Sequence, residues 1–167
     1  MLNELFKKFE KHPAQEKVLK LLFNRGFRVS EKGKVTSGNI EIPHTQLAKE
    51  AGVDRRVIDA TTETILSDKL LKSIFANIQS IAFLRDVAPL MDLGVIVITP
   101  NNAYSSGILS DVAGVISTYG ISIRQAVSDD PYLTEDPRLT LITDKKIPGE
   151  VVDLILELPN VKGISIY

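Results

Sequence analysis

The stretch LGVIVIT, residues 93–99, constrains the chain more than any other. It is a near-continuous apolar run, rich in β-branched residues, and it predicts a strand around which a domain must be built. The residues after it keep a regular rhythm. PNNAYSSG is a polar loop. ILSDVAGVISTYG carries Ile108, Leu109, Val112, Ala113, Val115 and Ile116 at helical spacing and stops at Gly120. ISIRQAV alternates as a second strand, DDPYLTEDP is a long acidic loop, and RLTLITD is a third strand. PGEVVDLILELPN is a helix bracketed by Pro148 and Pro159, and VKGISIY is a fourth strand.

The order β-α-β-β-α-β over residues 93–167 predicts a ferredoxin-like split βαβ fold, an antiparallel four-stranded sheet with both helices on one face. Ile121, Ile123, Leu139, Leu141, Ile164 and Ile166 are expected to meet Leu109, Val112, Val151 and Ile155. Ser122, Arg124, Ala126, Thr140, Gly163 and Ser165 are expected to face away, leaving that sheet surface largely polar. A strand order of 4-1-3-2 makes the second strand an edge, an exposed liability that pairing with another subunit removes. Gln125 falls on its nominally apolar side, and a buried amide needs partners. Arg124 has two readings: a surface arginine neutralised by Asp129, Asp130 or Asp136, or a ligand or subunit contact.

Residues 1–78 read differently. Leu2, Leu5, Phe6 and Phe9 have amphipathic helical spacing, and a buried helix follows from Pro13 to Asn24. FRVSEKGKVTSGNIEI predicts a short β-hairpin, with Phe27 and Val29 on one arm, Ile40 and Ile42 on the other, and a generous loop between. Leu47, Ala48 and Ala51 mark one helix. Gly52 follows, then a second helix capped by Asp54 that carries Val57, Ile58, Ile65 and Leu66 inward. That is a helix-turn-helix layout within a winged-helix-like domain. Ser67 is a candidate cap for a further helix with Leu70, Leu71, Ile74, Phe75 and Ile78, and residues 79–92 read as a connector. Charge divides along the same lines. Residues 1–80 hold 14 Lys/Arg against 10 Asp/Glu, and residues 81–167 hold 6 against 11.

Several classes of chemistry are short of residues. There is no cysteine, and His12 and His44 are the only histidines. Neither has a nearby set of residues that makes a triad, so no catalytic residue, metal site or cofactor is expected. Asp129, Asp130, Glu135 and Asp136 lack EF-hand spacing and read as solvated loop carboxylates. No stretch is long and apolar enough to span a membrane, and the amino-terminal segment lacks a signal peptide's apolar core, so a cytoplasmic, non-enzymatic protein is expected.

The segment SSGILSDVAGVISTYGISIRQA resembles the ACT domain, with Ser105, Ser106 and Gly107 standing where that family commonly has Asp-Arg-Pro-Gly. More broadly, GVDRRVI, ETILSD, FLRDVAPL, GISIRQAV, DDP and PGEVVDLILELPNVKGISIY together resemble an archaeal family of predicted regulators of amino-acid metabolism. That family joins an N-terminal helix-turn-helix to a C-terminal ACT domain, and the likeness covers nearly all the chain. It implies a homodimer through the ACT domains and a small-molecule ligand, an amino acid, between them. Carried onto matching positions, the ligand residues are Asn101, Asn102, Tyr104, Ser105, Ser106, Gly107 and Ile108, with Ser122, Ile123, Arg124 and Gln125 on the edge strand. Unpaired amides at the helix start favour a carboxylate, Gly107 allows close approach, and Ser105 and Ser106 read equally as helix caps.

For the helix-turn-helix, Arg55 and Arg56 are placed to reach phosphates or guanine edges of double-stranded DNA, and Thr45, Gln46 and Lys49 to touch backbone. Asp54, Asp59, Glu63 and Asp68 make the same helix acidic. Two functions therefore stand side by side. One is a ligand-responsive transcriptional regulator of amino-acid metabolism. The other is a metabolite-sensing adaptor that controls an enzyme by protein contact without binding DNA.

Overall fold

A computed structural model describes residues 2–167, with the side chains of residues 2–4 excepted, so the apolar position at Leu2 lies outside the described side chains. The chain is α+β and divides into two compact units between Ala82 and Phe83.

The first unit begins with α1 (Leu2–Lys7) and α2 (Pro13–Arg25). Three short strands follow, β1 (Arg28–Val29), β2 (Val35–Ser37) and β3 (Ile40–Ile42), then α3 (His44–Ala51), α4 (Arg55–Ser67) and α5 (Lys69–Asn77). The generous loop expected between two arms is instead a central strand. β2 pairs antiparallel with both neighbours, Val29 opposite Val35 and Val35 opposite Ile42. The turn stretches EKGK and SGN leave two residues between them, β-branched Val35 and Thr36, which favour extension, and the strand takes in Ser37 as well. Asp68, rather than Ser67, caps α5, its carboxylate accepting from the amides of Leu70 and Leu71 at 3.0 Å. Leu70 consequently points to solvent, while Leu71 and Phe75 are buried with Phe9, Leu19, Leu22, Ile58 and Ile65.

The second unit contains a 3₁₀ turn (Ala88–Met91), β4 (Gly94–Pro100), α6 (Ile108–Thr118), β5 (Ile123–Ser128), β6 (Leu139–Thr143), α7 (Gly149–Leu156) and β7 (Val161–Ile166). The sheet is antiparallel in the order β5-β6-β4-β7, which places β5 at an edge. One face packs Ile96, Ile98, Leu139 and Leu141 against Val112 and Ile116 of α6 and Val151 and Ile155 of α7. Leu109 and Ile166, expected in this layer, are 46% and 49% exposed, because each sits at a rim that the neighbouring element does not reach.

The opposite face is not the polar surface the alternation suggests. Val95, Val97 and Ile142 are buried there under Ala88, with Leu84 and Leu93 alongside. β4 and β6 are central strands and carry apolar residues on both sides, so a covering segment is required. The stretch read as a connector supplies it.

β5 holds the main departure. Its register shifts between Ile123, opposite Thr143, and Gln125, opposite Ile142, so Arg124 is the extra residue of a β-bulge. Ala126 then lies opposite Leu141 and Ser128 opposite Leu139, on the helix-covered face. Gln125 and Val127 pair with Ile142 and Thr140 on the other. The amide that looked misplaced on a core face therefore never lies there. Its Oε1 accepts the Leu84 N–H at 3.0 Å, at the start of the covering segment.

Candidate functional site

In the second unit the β4–α6 loop is organised by its own polar groups. Asn102 Oδ1 accepts the Tyr104 amide at 3.0 Å, and Asn101 Nδ2 donates to the Pro159 carbonyl at 2.9 Å. Helix α6 is capped by Gly107, whose φ of 92° falls in the left-handed region, and neither Ser105 nor Ser106 caps it. The hydroxyl serving this turn is Ser110, donating to the Gly107 carbonyl at 2.8 Å.

The acidic loop folds back against this one. Tyr132 meets Tyr104 edge to face, with centroids 5.6 Å apart. Asp130 accepts the Tyr132 amide, and Asp129 accepts the Arg138 amide at 3.0 Å. Arg138 also donates to Thr99 and Asp136. Between the two loops is a hollow of about 260 Å³, with Ser105, Gly107, Ile108, Ser128, Asp129 and Arg138 in its wall. A shallower polar hollow of about 360 Å³, between Asn101, Asn102 and Tyr104 and the acidic loop, reaches Lys162.

The expected ligand residues therefore separate into two groups. Asn101, Asn102, Tyr104, Ser105, Ser106, Gly107 and Ile108 lie at one end of the sheet. Ser122, Ile123, Arg124 and Gln125 lie at the other, since Ile123 pairs near Gly94 and Ser128 pairs near Ile98. At about 3.3 Å per residue the two ends of β5 are about 17 Å apart. Arg124 is exposed on the edge. Ser128, Asp129 and Arg138, absent from the sequence-derived set, occupy the wall instead. β5–β6 pairing brings them there from a different part of the chain.

In the first unit α3, a three-residue turn through Gly52 and α4 present Thr45, Gln46, Lys49, Arg55 and Arg56 on the surface, all exposed. Asp54 caps α4, accepting the Arg56 amide at 2.8 Å. The two arginines diverge, because consecutive helical residues lie about 100° apart. Arg55 faces a hollow of about 780 Å³ bounded by the β1–β2 turn, Thr45 and α4. Arg56 faces another of about 390 Å³ formed with Lys11 and His12.

Asp59 joins α3 to α4. His44 Nδ1 and Asp59 Oδ1 are 2.6 Å apart, and Arg55 Nε lies 3.7 Å from the other oxygen. The His44 hydrogen bond and then the Arg55 charge hold the Asp59 carboxyl below its ordinary value. His44 Nε2 is buried without a hydrogen-bond partner among the described residues. Asp68 is also lowered, first by its hydrogen bond from Lys8 and then by the Leu71 amide.

A depressed carboxyl contributes stability that is present above its unfolded value, about 3.9, and is lost as pH falls through the lower folded value. Asp59→Asn is accordingly expected to be less stable than the parent at neutral pH, with the gap closing below about pH 4. Urea denaturation across that range measures it. A gap that stays constant into acid would show that Asp59 carries no proton-linked stability.

Among the described residues no group of three or more His, Asp or Glu is placed to hold a metal ion, and no helix is long and apolar enough to cross a membrane. No family model and no curated protein matches the chain. Among solved structures it is similar to a transcriptional regulatory protein of the AsnC family from Pyrococcus furiosus, at 13% identity over 92% of this chain and 85% of that one, TM-score 0.27. It is also similar to an AsnC family transcriptional regulator from Agrobacterium tumefaciens, at 13% identity over 92% and 86%, TM-score 0.27. Likeness of that degree assigns no activity, and the chemistry of both units rests on their own geometry.

Proposed function

We propose that the chain is a ligand-responsive regulator of amino-acid metabolism, cytoplasmic and non-catalytic. In this reading its first unit is a helix-turn-helix domain acting on double-stranded DNA, and its second is an ACT-like domain that binds an amino acid. The observation that carries the reading is the hollow of about 260 Å³ beside an exposed edge strand. Its size suits a small metabolite, and Arg138 and Asp129 in its wall offer a cation and an anion to a zwitterion.

Asp111, in the first turn of α6, qualifies how the ligand lies. Its Oδ2 sits 3.6 Å from where a Gly107 side chain would begin, so the helix start already faces a carboxylate. The ligand's ammonium group is placed on this side and its carboxylate toward arginine. A homodimer formed by antiparallel pairing of two β5 edges would set Arg124 of the partner subunit beside Ser128 of the first. Such pairing reunites the two groups of ligand residues that one chain holds apart. A ligand that favours one subunit pairing over another thereby shifts duplex affinity.

Thermal denaturation with each standard amino acid tests the reading. One of them is expected to raise stability, by about 2.7 kcal/mol at about a hundred times its Kd, and Arg124→Ala is expected to weaken that rise. If no amino acid moves the transition, the ligand assignment falls.

The exposed stripe of α4 favours a second reading, since Asp59 and Glu63 stand on it beside Arg55 and Arg56. A near-neutral stripe suits an adaptor that docks on an enzyme without touching DNA. Recovery of a biosynthetic enzyme, with no duplex binding at low salt, decides for it.

A further inference from the structure

We propose that the flank of α4 facing the α1–α2 connector, built from Lys11, His12 and Arg56, is the phosphate-backbone contact for a double-stranded nucleic acid, and that the hairpin flank is not. This rests on reading the first unit as a duplex-binding module. It concerns how that module lies on its partner.

The start of α4 stands between two hollows of different electrostatic character. The hairpin-side hollow has Lys32, Lys34 and Arg55 in its wall, but Glu31, Glu41, Asp59 and Glu63 as well. Two of those cations are already engaged: Lys34 Nζ lies 2.9 Å from Glu41, and Arg55 lies 3.7 Å from Asp59. A polyanion entering there would meet more carboxylates than free cations.

The connector-side hollow is lined by Lys11, His12 and Arg56 over a floor that includes Pro13, Val57 and Ala60, and its wall contains no carboxylate. Among the described residues neither Lys11 nor Arg56 has an ion-pair partner. Asp54, the acidic group nearest Arg56 in sequence, is committed to capping α4 through the Arg56 amide, and Glu10, which adjoins Lys11, is not in the wall of the hollow. Unpaired cations over a carboxylate-free hollow suit a backbone that carries one negative charge per about 1.7 Å of duplex axis. A major groove about 12 Å wide admits a helix, and a strand of phosphates then runs along that helix's flank.

Phosphate contacts are independent of sequence, so a mixed-sequence double-stranded oligonucleotide is a sufficient probe. Affinity is measured against salt for the full chain and for single variants at these exposed positions. Lys11→Ala and Arg56→Ala are each expected to make the plot of log K against log[salt] about one unit shallower. Lys11→Arg should restore the parent slope, and Lys32→Ala should leave it unchanged. If the parent binds but the Lys11 and Arg56 variants keep its slope, or Lys32→Ala loses it, the flank assignment is overturned while duplex binding stands. If the parent shows no salt-dependent binding, both fall, and an acidic protein becomes the partner to seek.

Discussion

Gly26→Ala is expected to destabilise the first unit by about 3 kcal/mol or more, seen as a lower urea midpoint at unchanged m-value. Gly26 ends α2 at φ 63° and ψ 33°, and the amides of Gly26 and Phe27 return to the Phe23 and Leu22 carbonyls at 3.0 and 2.9 Å. An L-residue there costs about 1–2 kcal/mol from backbone conformation alone. Space adds the rest. A Cβ would lie 2.5 Å from the Gln79 carbonyl oxygen and 2.7 Å from the Ser80 nitrogen. That segment cannot easily give way, because Ser80 Oγ donates to the Arg25 carbonyl at 2.6 Å and Arg28 Nε donates to the Ile78 carbonyl at 2.8 Å. Gly52 is the control. It closes α3 at φ 64° and ψ 40° with nothing within 4 Å of its would-be Cβ, so Gly52→Ala should cost only the conformational part. Equal losses in the two variants would show that the approach of Gln79 is not what reserves position 26 for glycine.

Gly94→Ala is expected to cost the second unit about 2–3 kcal/mol by overpacking alone. No positive φ is involved. A Cβ would fall 2.4 Å from Thr143 Oγ1 and 2.5 Å from the Lys145 carbonyl oxygen. Thr143 is fully buried, and its hydroxyl donates to that same carbonyl at 2.7 Å, so neither atom has room to retreat. Thr143 is also the partner of Ile123 in β5, immediately before the bulge. Displacing it should therefore loosen the edge strand, with faster amide exchange at Ile123 and Gln125 accompanying the lower midpoint. A stable variant with parent exchange rates at those amides would contradict the tight fit at this corner of the sheet.

Much of this fold is legible in local patterns, and what is not has definite causes. LGVIVIT announces a strand by apolar content and RLTLITD by the alternation of Leu139 and Leu141 with Arg138 and Thr140, and Gly107 announces the start of α6 by its place between a polar loop and a periodic segment. Val35–Ser37 is hidden because three residues between two turns show no period. Leu84 and Ala88 are hidden because the segment covering the sheet also carries exposed Val87 and Leu90, which blur any single apolar face. The bulge is hidden for a deeper reason: IRQAV alternates regularly by itself, and only pairing with β6 shows which residue is extra. The sites follow the same rule. Arg55 and Arg56 are legible because Asp54 marks the start of their helix. Lys11 is not, because a different helix pair brings it to Arg56. Likewise Arg138 reaches the β4–α6 loop only through the sheet.

The extra residue at Arg124 acts as a phase inverter on everything after it. Were Arg124 paired in step and not bulged, Gln125 and Val127 would keep step with Ile121 and Ile123 and project toward the helix layer, beside Ile108 and Leu109. With the bulge, that side of the strand receives Ala126 and Ser128, two of the smallest side chains available. The hollow bounded by Ser128, Ile108 and Leu109 is the volume the larger pair would have filled. Pairing Arg124 in step, a change that removes no group from the wall of the hollow, would therefore plug it, whereas deleting Arg124 would keep Ala126 and Ser128 where they are and leave it open.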